Sequence, residues 1–234
     1  MPQRDRPLLA VLIDADNIPA KFAEAILEEI TGLGEPALRR VYGDWSSDRL
    51  KQWAGKVHQL GLTAHQETAN TKGKNASDIG LVIDAMDILH QGRFDGFVLV
   101  SSDSDFTRLA SRIREDGLDV FGIGEGKAPE SLRNVCNRFI LIENLVDEPA
   151  EERSGGAAKR QPLDALPLVL RAMERMEQDD DWYALGALGS QIVAEMPDFD
   201  TRTYGKRKLS DLIGDIKRLE TRLDGTQLMV RRRD

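Results

Sequence analysis

The chain has 234 residues, of which 41% are hydrophobic and 31% are charged, and its net charge is −8. These values are typical of a folded globular protein, and the length suffices for one large domain or two smaller ones. The longest apolar runs are far shorter than a membrane span, so we expect no membrane partner, and the negative charge argues against nonspecific wrapping of nucleic acid.

The cysteine content and the first residues indicate a compartment. A single cysteine, Cys136, leaves no internal disulfide framework and suits a reducing cytosol. The amino-terminal segment lacks the apolar stretch and cleavage site of a signal peptide. We therefore expect a cytoplasmic protein.

Strands and helices alternate along the first 145 residues. The predicted strands are Leu8–Ile13, Leu38–Tyr42, Leu62–His65, Gly96–Val100, Asp119–Ile123 and Phe139–Ile142. An amphipathic helix is predicted after Pro19, and further helices are predicted over Asp48–Leu60, Asp78–His90, Phe106–Asp116 and Pro129–Asn137. This alternation predicts an α/β domain over residues 1–146, with a parallel sheet and helices on both of its faces.

The composition changes after this domain. Residues 147–160 are mostly acidic or small, have almost nothing to bury and are predicted to form a flexible linker. Residues 161–234 hold patterns for three helices and a short strand, which are Leu166–Met176, Tyr183–Met196, Leu209–Leu223 and Gln227–Val230. Ten basic and four acidic side chains lie between positions 201 and 233. Together these features predict a small, mainly helical domain of the helix-turn-helix or winged-helix type with a basic half.

Acidic residues follow two of the predicted strands of the first domain. Asp14 and Asn17 come after the first strand, and Asp103 and Asp105 come after the strand Gly96–Val100. In open parallel sheets, ligands bind beyond the carboxyl ends of strands where the winding direction reverses, so we expect both segments to meet there. Carboxylates at such short range repel unless they are protonated or neutralised by a cation. Oxygen ligands without clustered Cys or His favour Mg²⁺ or Mn²⁺.

Asp78 has two interpretations. At the start of a predicted helix, three residues after Asn75, it would cap the first turn. It can also lean toward the carboxyl edge of the sheet, and the two acidic strand ends favour this second role, as a metal ligand. Asp16 is a weaker candidate because alternation after Asp14 directs it outward, and we expect Asp84 to be a solvated surface acid.

The loop before Asp78 carries Lys72 and Lys74 together with a glycine. Two ammonium groups beside a metal site suit binding of a phosphodiester backbone. The alternative interpretation is a solvated loop with no ligand.

Four motifs of the first domain resemble one family. The segments 12–18 (LIDADNI), 41–44 (VYGD), 72–78 (KGKNASD) and 100–106 (VSSDSDF) are similar, in order, to the NYN domain. This is the LabA-like branch of the PIN-like nuclease superfamily. The resemblance covers about residues 7–145, and it implies a Rossmann-like fold and a Mg²⁺ or Mn²⁺ site for endonucleolytic cleavage of RNA.

The resemblance also implies a role for each residue that matches a functional position of the family. The resemblance implies that the catalytic metal ligands are Asp14, Asp78, Asp103 and, as ligand or support, Asp105. It also implies that polar groups supporting the site or its substrate are Asn17, Ser101 and Ser102.

The tail resembles a second family. The motifs are Asp181-Trp182, Leu188-Gly189, Pro197–Asp200, Tyr204-Gly205, Leu209 and Leu212. They are similar to the OST-HTH (LOTUS) domain, a winged helix associated with RNA binding and protein contacts. The basic side chains predicted to contact phosphates are Arg202, Lys206, Arg207, Lys208, Lys217, Arg218 and Arg231–Arg233. A solvated basic face is the alternative.

Together, these features favour a metal-dependent endoribonuclease whose C-terminal domain binds or presents single-stranded or structured RNA. Two alternatives stay open. The Asp14-x-Asp16 pair resembles the nucleophile and acid of a haloacid dehalogenase phosphatase, although the second strand ends in Tyr-Gly-Asp-Trp, without the Thr or Ser that such an enzyme needs. The chain could instead be a catalytically inactive RNA- or protein-binding regulator.

Overall fold

A computed structural model describes residues 5–66, 76–146, 160–176, 178 and 180–233. The chain divides into two units, Met1–Asp147 and Glu148–Asp234. The predicted linker, residues 147–160, lies outside the described residues apart from Arg160. Within the described ranges, no helix is both long enough and apolar enough to cross a membrane.

Within the described residues, the amino-terminal unit is built on a six-stranded parallel sheet. Its strands are β1 (Leu8–Asp14), β2 (Glu35–Gly43), β3 (Thr63–Gln66), β4 (Gly96–Val100), β5 (Asp119–Gly124) and β6 (Arg138–Leu141). The strand order is β3-β2-β1-β4-β5-β6. The winding direction therefore reverses between β1 and β4, which are buried along their whole length.

Helices cover both faces of this sheet. They are α1 (Ala23–Leu33), α2 (Lys51–Leu60), α3 (Ala76–His90), α4 (Thr107–Glu115) and α5 (Glu130–Val135). Successive residues of a strand point to opposite faces. In β1, Ala10 and Leu12 accordingly pack in the core that contains α3 and α4, whereas Val11 and Ile13 pack in the core that contains α1 and α2. The predicted α/β class with helices on both faces is confirmed.

One surface assignment made from the sequence is wrong. The side chain of Asp84, expected to be solvated, is only 21% exposed, and it accepts hydrogen bonds from Arg40 and Tyr42 of β2. Burial and the hydrogen bond to this carboxylate raise the pKa of Tyr42 well above its ordinary value. These contacts fasten the middle of α3, the helix that carries Asp78, to the sheet.

The carboxy-terminal unit has a separate core. Its helices are α6 (Leu166–Arg175), α7 (Leu185–Glu195) and α8 (Leu209–Asp215), and its strands are β7 (Tyr183–Ala184), β8 (Leu219–Asp224) and β9 (Gln227–Arg232). In the described part of this unit the strands form a three-stranded antiparallel sheet in the order β7-β9-β8. Side chains from all three helices and from β9 share the core, among them Val169, Leu188, Leu212 and Val230. Three helices with a β-hairpin form the winged helix that the sequence predicts.

The prediction of one helix over Leu209–Leu223 is wrong in its second half. The helix α8 ends at Asp215, and β8 begins at Leu219. A two-residue turn joins β8 to β9, with Gly225 at a φ of +58°, a conformation that glycine adopts without strain. Residues 219–223 have apolar side chains at helical spacing, but pairing with β9 makes them part of a strand.

Substitution of two glycines by alanine would test the packing of the amino-terminal unit. A Cβ at Gly124 of β5 would lie 2.6 Å from the carbonyl oxygen of Ser101, so either the strand or its neighbour must move. We expect Gly124→Ala to lower the free energy of unfolding by about 1–3 kcal/mol. In α2, Gly55 has open space around it, and Gly55→Ala should raise stability by up to about 1 kcal/mol. Denaturant unfolding of both variants measures the difference, and effects of the same sign would contradict this packing.

Candidate metal centre

Three carboxylates converge at the carboxyl edge of the parallel sheet. Asp78 lies in the first turn of α3, while Asp103 and Asp105 lie in the segment that leads from β4 into α4. One oxygen of each carboxylate lies within 4.8 Å of the others. Asp78 and Asp103 are half-buried and Asp105 is exposed, so the cluster opens to solvent on one side.

Asp14, the last residue of β1, lies at the same edge but is buried. The hydroxyl of Ser101 donates to its Oδ2 at 2.8 Å, and the amide of Asn17 donates to its Oδ1 at 3.2 Å. Burial and, to a smaller extent, the charges of Asp78 and Asp16 raise the pKa of Asp14 to about 7, although the two hydrogen bonds lower it. Asp14 therefore interacts electrostatically with Asp78, but its carboxylate is not one of the three that converge.

Asp78 is partly buried and lies close to other negative charges. Its partial burial, followed by the charges of Asp103, Asp105 and Asp16, raises its pKa to about 6. Like charges held this close together favour the binding of a positive ion or a proton. Oxygen donors from three aspartates are the chemistry that Mg²⁺ and Mn²⁺ prefer.

Asp16 contributes negative charge to the site, which strand alternation does not predict. It is exposed, yet its charge raises the pKa of both Asp14 and Asp78. The alternation stops at Asp14 because the chain turns there, with the amide of Ile18 donating to the carbonyl of Asp14 at 3.0 Å. Asp16 therefore borders the cluster instead of pointing away from it.

Hydrogen bonds join the segments that carry the acids. The side-chain oxygen of Asn17 accepts from the amide of Ser102 at 3.1 Å, and the hydroxyl of Ser101 accepts from the amide of Asp103 at 3.1 Å. Asp103 in turn caps the turn before α4 by accepting from the amide of Asp105 at 2.9 Å. The ends of β1 and β4 are thus fixed to each other.

Both serines predicted to support the site or its substrate are buried. The hydroxyl of Ser101 contacts Asp14 and Asp103, and the hydroxyl of Ser102 accepts from the amide of Glu125 at 2.8 Å. These contacts fit a supporting role. A direct contact of either serine with substrate stays a prediction.

The basic residues singled out in the sequence have different surroundings. Lys72 and Lys74 lie outside the described residues. Arg202 donates to both carboxylate oxygens of Asp200, and Lys206 forms an ion pair with Asp215. Arg207 and Lys208 are exposed. Of these four basic residues in the tail, the last two therefore face solvent most fully.

Two glutamates at the same edge were not predicted from the sequence. Glu125 follows β5 directly and Glu143 lies just after β6, and both are only 7% exposed. An acid directly after a predicted strand is the signal that marked Asp14 and Asp103. The same signal could have identified Glu125.

Comparison with known protein families finds one domain family in each part of the chain. Residues 8–143 match the model of the NYN domain, and residues 159–227 match the model of the OST-HTH/LOTUS domain. No curated protein matches the chain.

Solved structures add a likeness of fold. A Vibrio parahaemolyticus protein of unknown function is similar with a TM-score of 0.52 at 20% identity, over 62% of this chain and 98% of that one. Acinetobacter baumannii MurG gives a TM-score of 0.40 at 12% identity, over 90% of this chain and 70% of that one, which is too low to indicate a shared fold.

In the metal-free protein, Asp14→Asn should gain stability relative to the wild type as the pH rises from 4 to 8. The folded pKa of about 7 lies above the unfolded value near 3.9, so the folded state loses stability as the pH rises between the two values. A shift of about three pKa units changes the free energy of unfolding by at most about 4 kcal/mol. The measurement is denaturant unfolding of both proteins in chelator at pH 4 and pH 8. An advantage of the variant that is no larger at pH 8 than at pH 4 would contradict the buried, proton-binding Asp14.

Proposed function

This chain belongs to the NYN domain family and carries an OST-HTH/LOTUS domain, and from that premise we propose that it is a metal-dependent endoribonuclease. The NYN domain is a nuclease-type fold of the PIN-like superfamily, and OST-HTH domains are associated with RNA binding. The observation that carries the proposal is the convergence of Asp78, Asp103 and Asp105 within 4.8 Å at the point where the sheet reverses its winding.

The donor set fits a hard divalent cation. It offers carboxylate oxygens, without a sulfur or imidazole ligand among the described residues that form it. Asp78, Asp103 and Asp105 would hold Mg²⁺ or Mn²⁺, and Asp14 would add negative charge from behind. A bound cation of this kind lowers the pKa of coordinated water and offsets charge on a phosphate.

The chain's own residues would then prepare the site for hydrolysis of a phosphodiester bond. Asp14, with a pKa of about 7, can hold or release a proton near neutral pH. Ser101 donates to Asp14 and accepts from the amide of Asp103, so its hydroxyl keeps a fixed orientation between the two acids. Asn17 holds the end of β4 in place through the amide of Ser102. These contacts support preorganisation of the carboxylates before substrate arrives.

The C-terminal domain would supply further contacts to RNA. Arg207 and Lys208 present exposed cations just before α8. On the sheet of this domain, the guanidinium groups of Arg222 and Arg231 lie 4.2 Å and 4.7 Å from the ring centroid of Trp182. Guanidinium groups held against an aromatic ring suit contacts with a phosphate chain. Binding or presentation of RNA by this domain is therefore part of the proposal.

The phosphatase alternative loses its support, because residues 8–143 match the NYN domain and Asp14 is buried with both of its oxygens hydrogen-bonded. A nucleophile that attacks a phosphomonoester must reach its substrate. The inactive regulator stays as an outcome of the cleavage experiment below.

Asp14→Asn and Asp103→Asn should each reduce Mn²⁺-dependent cleavage of single-stranded RNA by about 100-fold or more, because each removes a charge that the site uses to hold the ion. Binding of the same RNA should change less than about 2-fold, since phosphate contacts come from the basic residues. The measurements are gel analysis of labelled RNA for cleavage and fluorescence anisotropy for binding.

Asp87→Asn is the matched control, because Asp87 is an acid on α3, the helix that also carries Asp78, and lies more than two turns further along it. It should cleave like the wild type. Unchanged cleavage by Asp103→Asn would overturn the site. Tight RNA binding by the wild type, with no product under Mg²⁺ or Mn²⁺, would instead favour the inactive regulator.

A further inference from the structure

Residues 125–129, which we name the β5–α5 loop, are held against the carboxyl edge of the sheet from two sides. The amide of Glu125 donates to the hydroxyl of Ser102 at 2.8 Å, and the amide of Gly126 donates to Oε1 of Glu143 at 2.8 Å. The amide of Ala128 donates to the carbonyl of Glu125 at 2.9 Å. Three backbone amides of the loop are therefore used inside the protein, and the loop presents one exposed cationic side chain.

That side chain is Lys127. Its ammonium forms an ion pair with Oε2 of Glu125, and the two side chains differ sharply in exposure: 59% for Lys127 and 9% for Glu125. A buried carboxylate behind an exposed ammonium fixes the cation at the surface without enclosing it. A cation held in this way loses less conformational freedom when it binds an anion than a freely moving surface lysine does.

The burial of acids behind the loop requires an explanation. An exposed ion pair contributes about 0–1 kcal/mol to stability, whereas desolvating a carboxylate costs several kcal/mol. Here both glutamates are buried, and Oε2 of Glu143 has no hydrogen-bond partner among the described residues. Stability alone does not account for this arrangement. Glu125 holds the ammonium of Lys127 at the sheet edge, and Glu143 holds the loop through the amide of Gly126.

One hydrogen bond links the β5–α5 loop to the segment that carries Asp103. β5 pairs with β4, and Ser102, which holds the amide of Glu125, immediately precedes Asp103. The aspartates of the cluster repel a phosphodiester chain, so RNA that crosses the site needs cations on its flanks. Lys127 is a cation on the β5 side.

We propose that Lys127 is a substrate-binding residue whose ammonium contacts a backbone phosphate flanking the one that is cleaved. The ligand is the sugar–phosphate chain of single-stranded RNA, bound without regard to base. This inference rests on the proposed function, because it concerns the substrate of that same site.

The test is Lys127→Gln in the full chain. Affinity for a labelled single-stranded RNA is measured in the Asp14→Asn background, which prevents cleavage, at several salt concentrations. Loss of one phosphate contact should raise Kd about 3- to 10-fold at low salt and reduce the slope of log Kd against log salt concentration by about 0.7. In the cleavage-competent chain, KM should rise similarly while kcat stays within about 2-fold. Lys127→Arg should behave like the wild type.

Arg112→Gln is the matched control. Arg112, in the last turn of α4, pairs with Asp116, so this variant also removes one cation and one ion pair, but at the end of α4 remote from the cluster. It should leave Kd, the salt slope and KM unchanged.

Each outcome decides the matter. A Lys127→Gln protein with wild-type salt slope and KM overturns the proposal, as does an equal loss in Arg112→Gln, because general charge would then explain both. A loss confined to kcat overturns it as well. If the wild type binds RNA without cleaving it, the proposed function fails, and the salt slope still decides whether Lys127 contacts the chain. If the wild type binds no RNA, both fail.

Discussion

Repulsion between carboxylates at one edge of a parallel sheet is the constraint on which the amino-terminal domain depends. The order of the strands sets β1 beside β4, so the acids that end these strands share one crevice with the first turn of α3. Burial and mutual repulsion raise the pKa of Asp14 to about 7 and that of Asp78 to about 6. Asparagine at these positions would relieve the repulsion, and so would a bound cation.

The surrounding structure keeps these acids together in spite of their repulsion. Ser101 bridges Asp14 and the amide of Asp103, while Ser102 connects Asn17 to the loop after β5. On the other side, Arg40 and Tyr42 hold α3 through Asp84. The acids are therefore positioned by a rigid shell, and a cation would enter a site that is already assembled.

Much of this was predictable from the sequence, because a buried parallel strand is a continuous apolar run and its end is marked by the first polar residues. Asp14 and Asp103 could be assigned in this way. Asp78 could not be assigned alone, since a helix cap and a metal ligand have the same local pattern, and only the position of α3 over the sheet separates them. Other features depended on contacts that no local pattern records. Asp84 is half-buried because β2 supplies two donors, and β8 is a strand because β9 pairs with it.

The most direct test of the acidic site is the number of protons released when Mn²⁺ binds. Isothermal titration of the full chain at pH 6.5, in two buffers of different ionisation enthalpy, gives that number. With pKa values of about 7 and about 6, Asp14 and Asp78 are partly protonated at this pH, so binding should release protons, and the release should nearly vanish at pH 8. Absence of Mn²⁺ binding, or binding at pH 6.5 without proton release, would contradict a cation site formed by these repelling carboxylates.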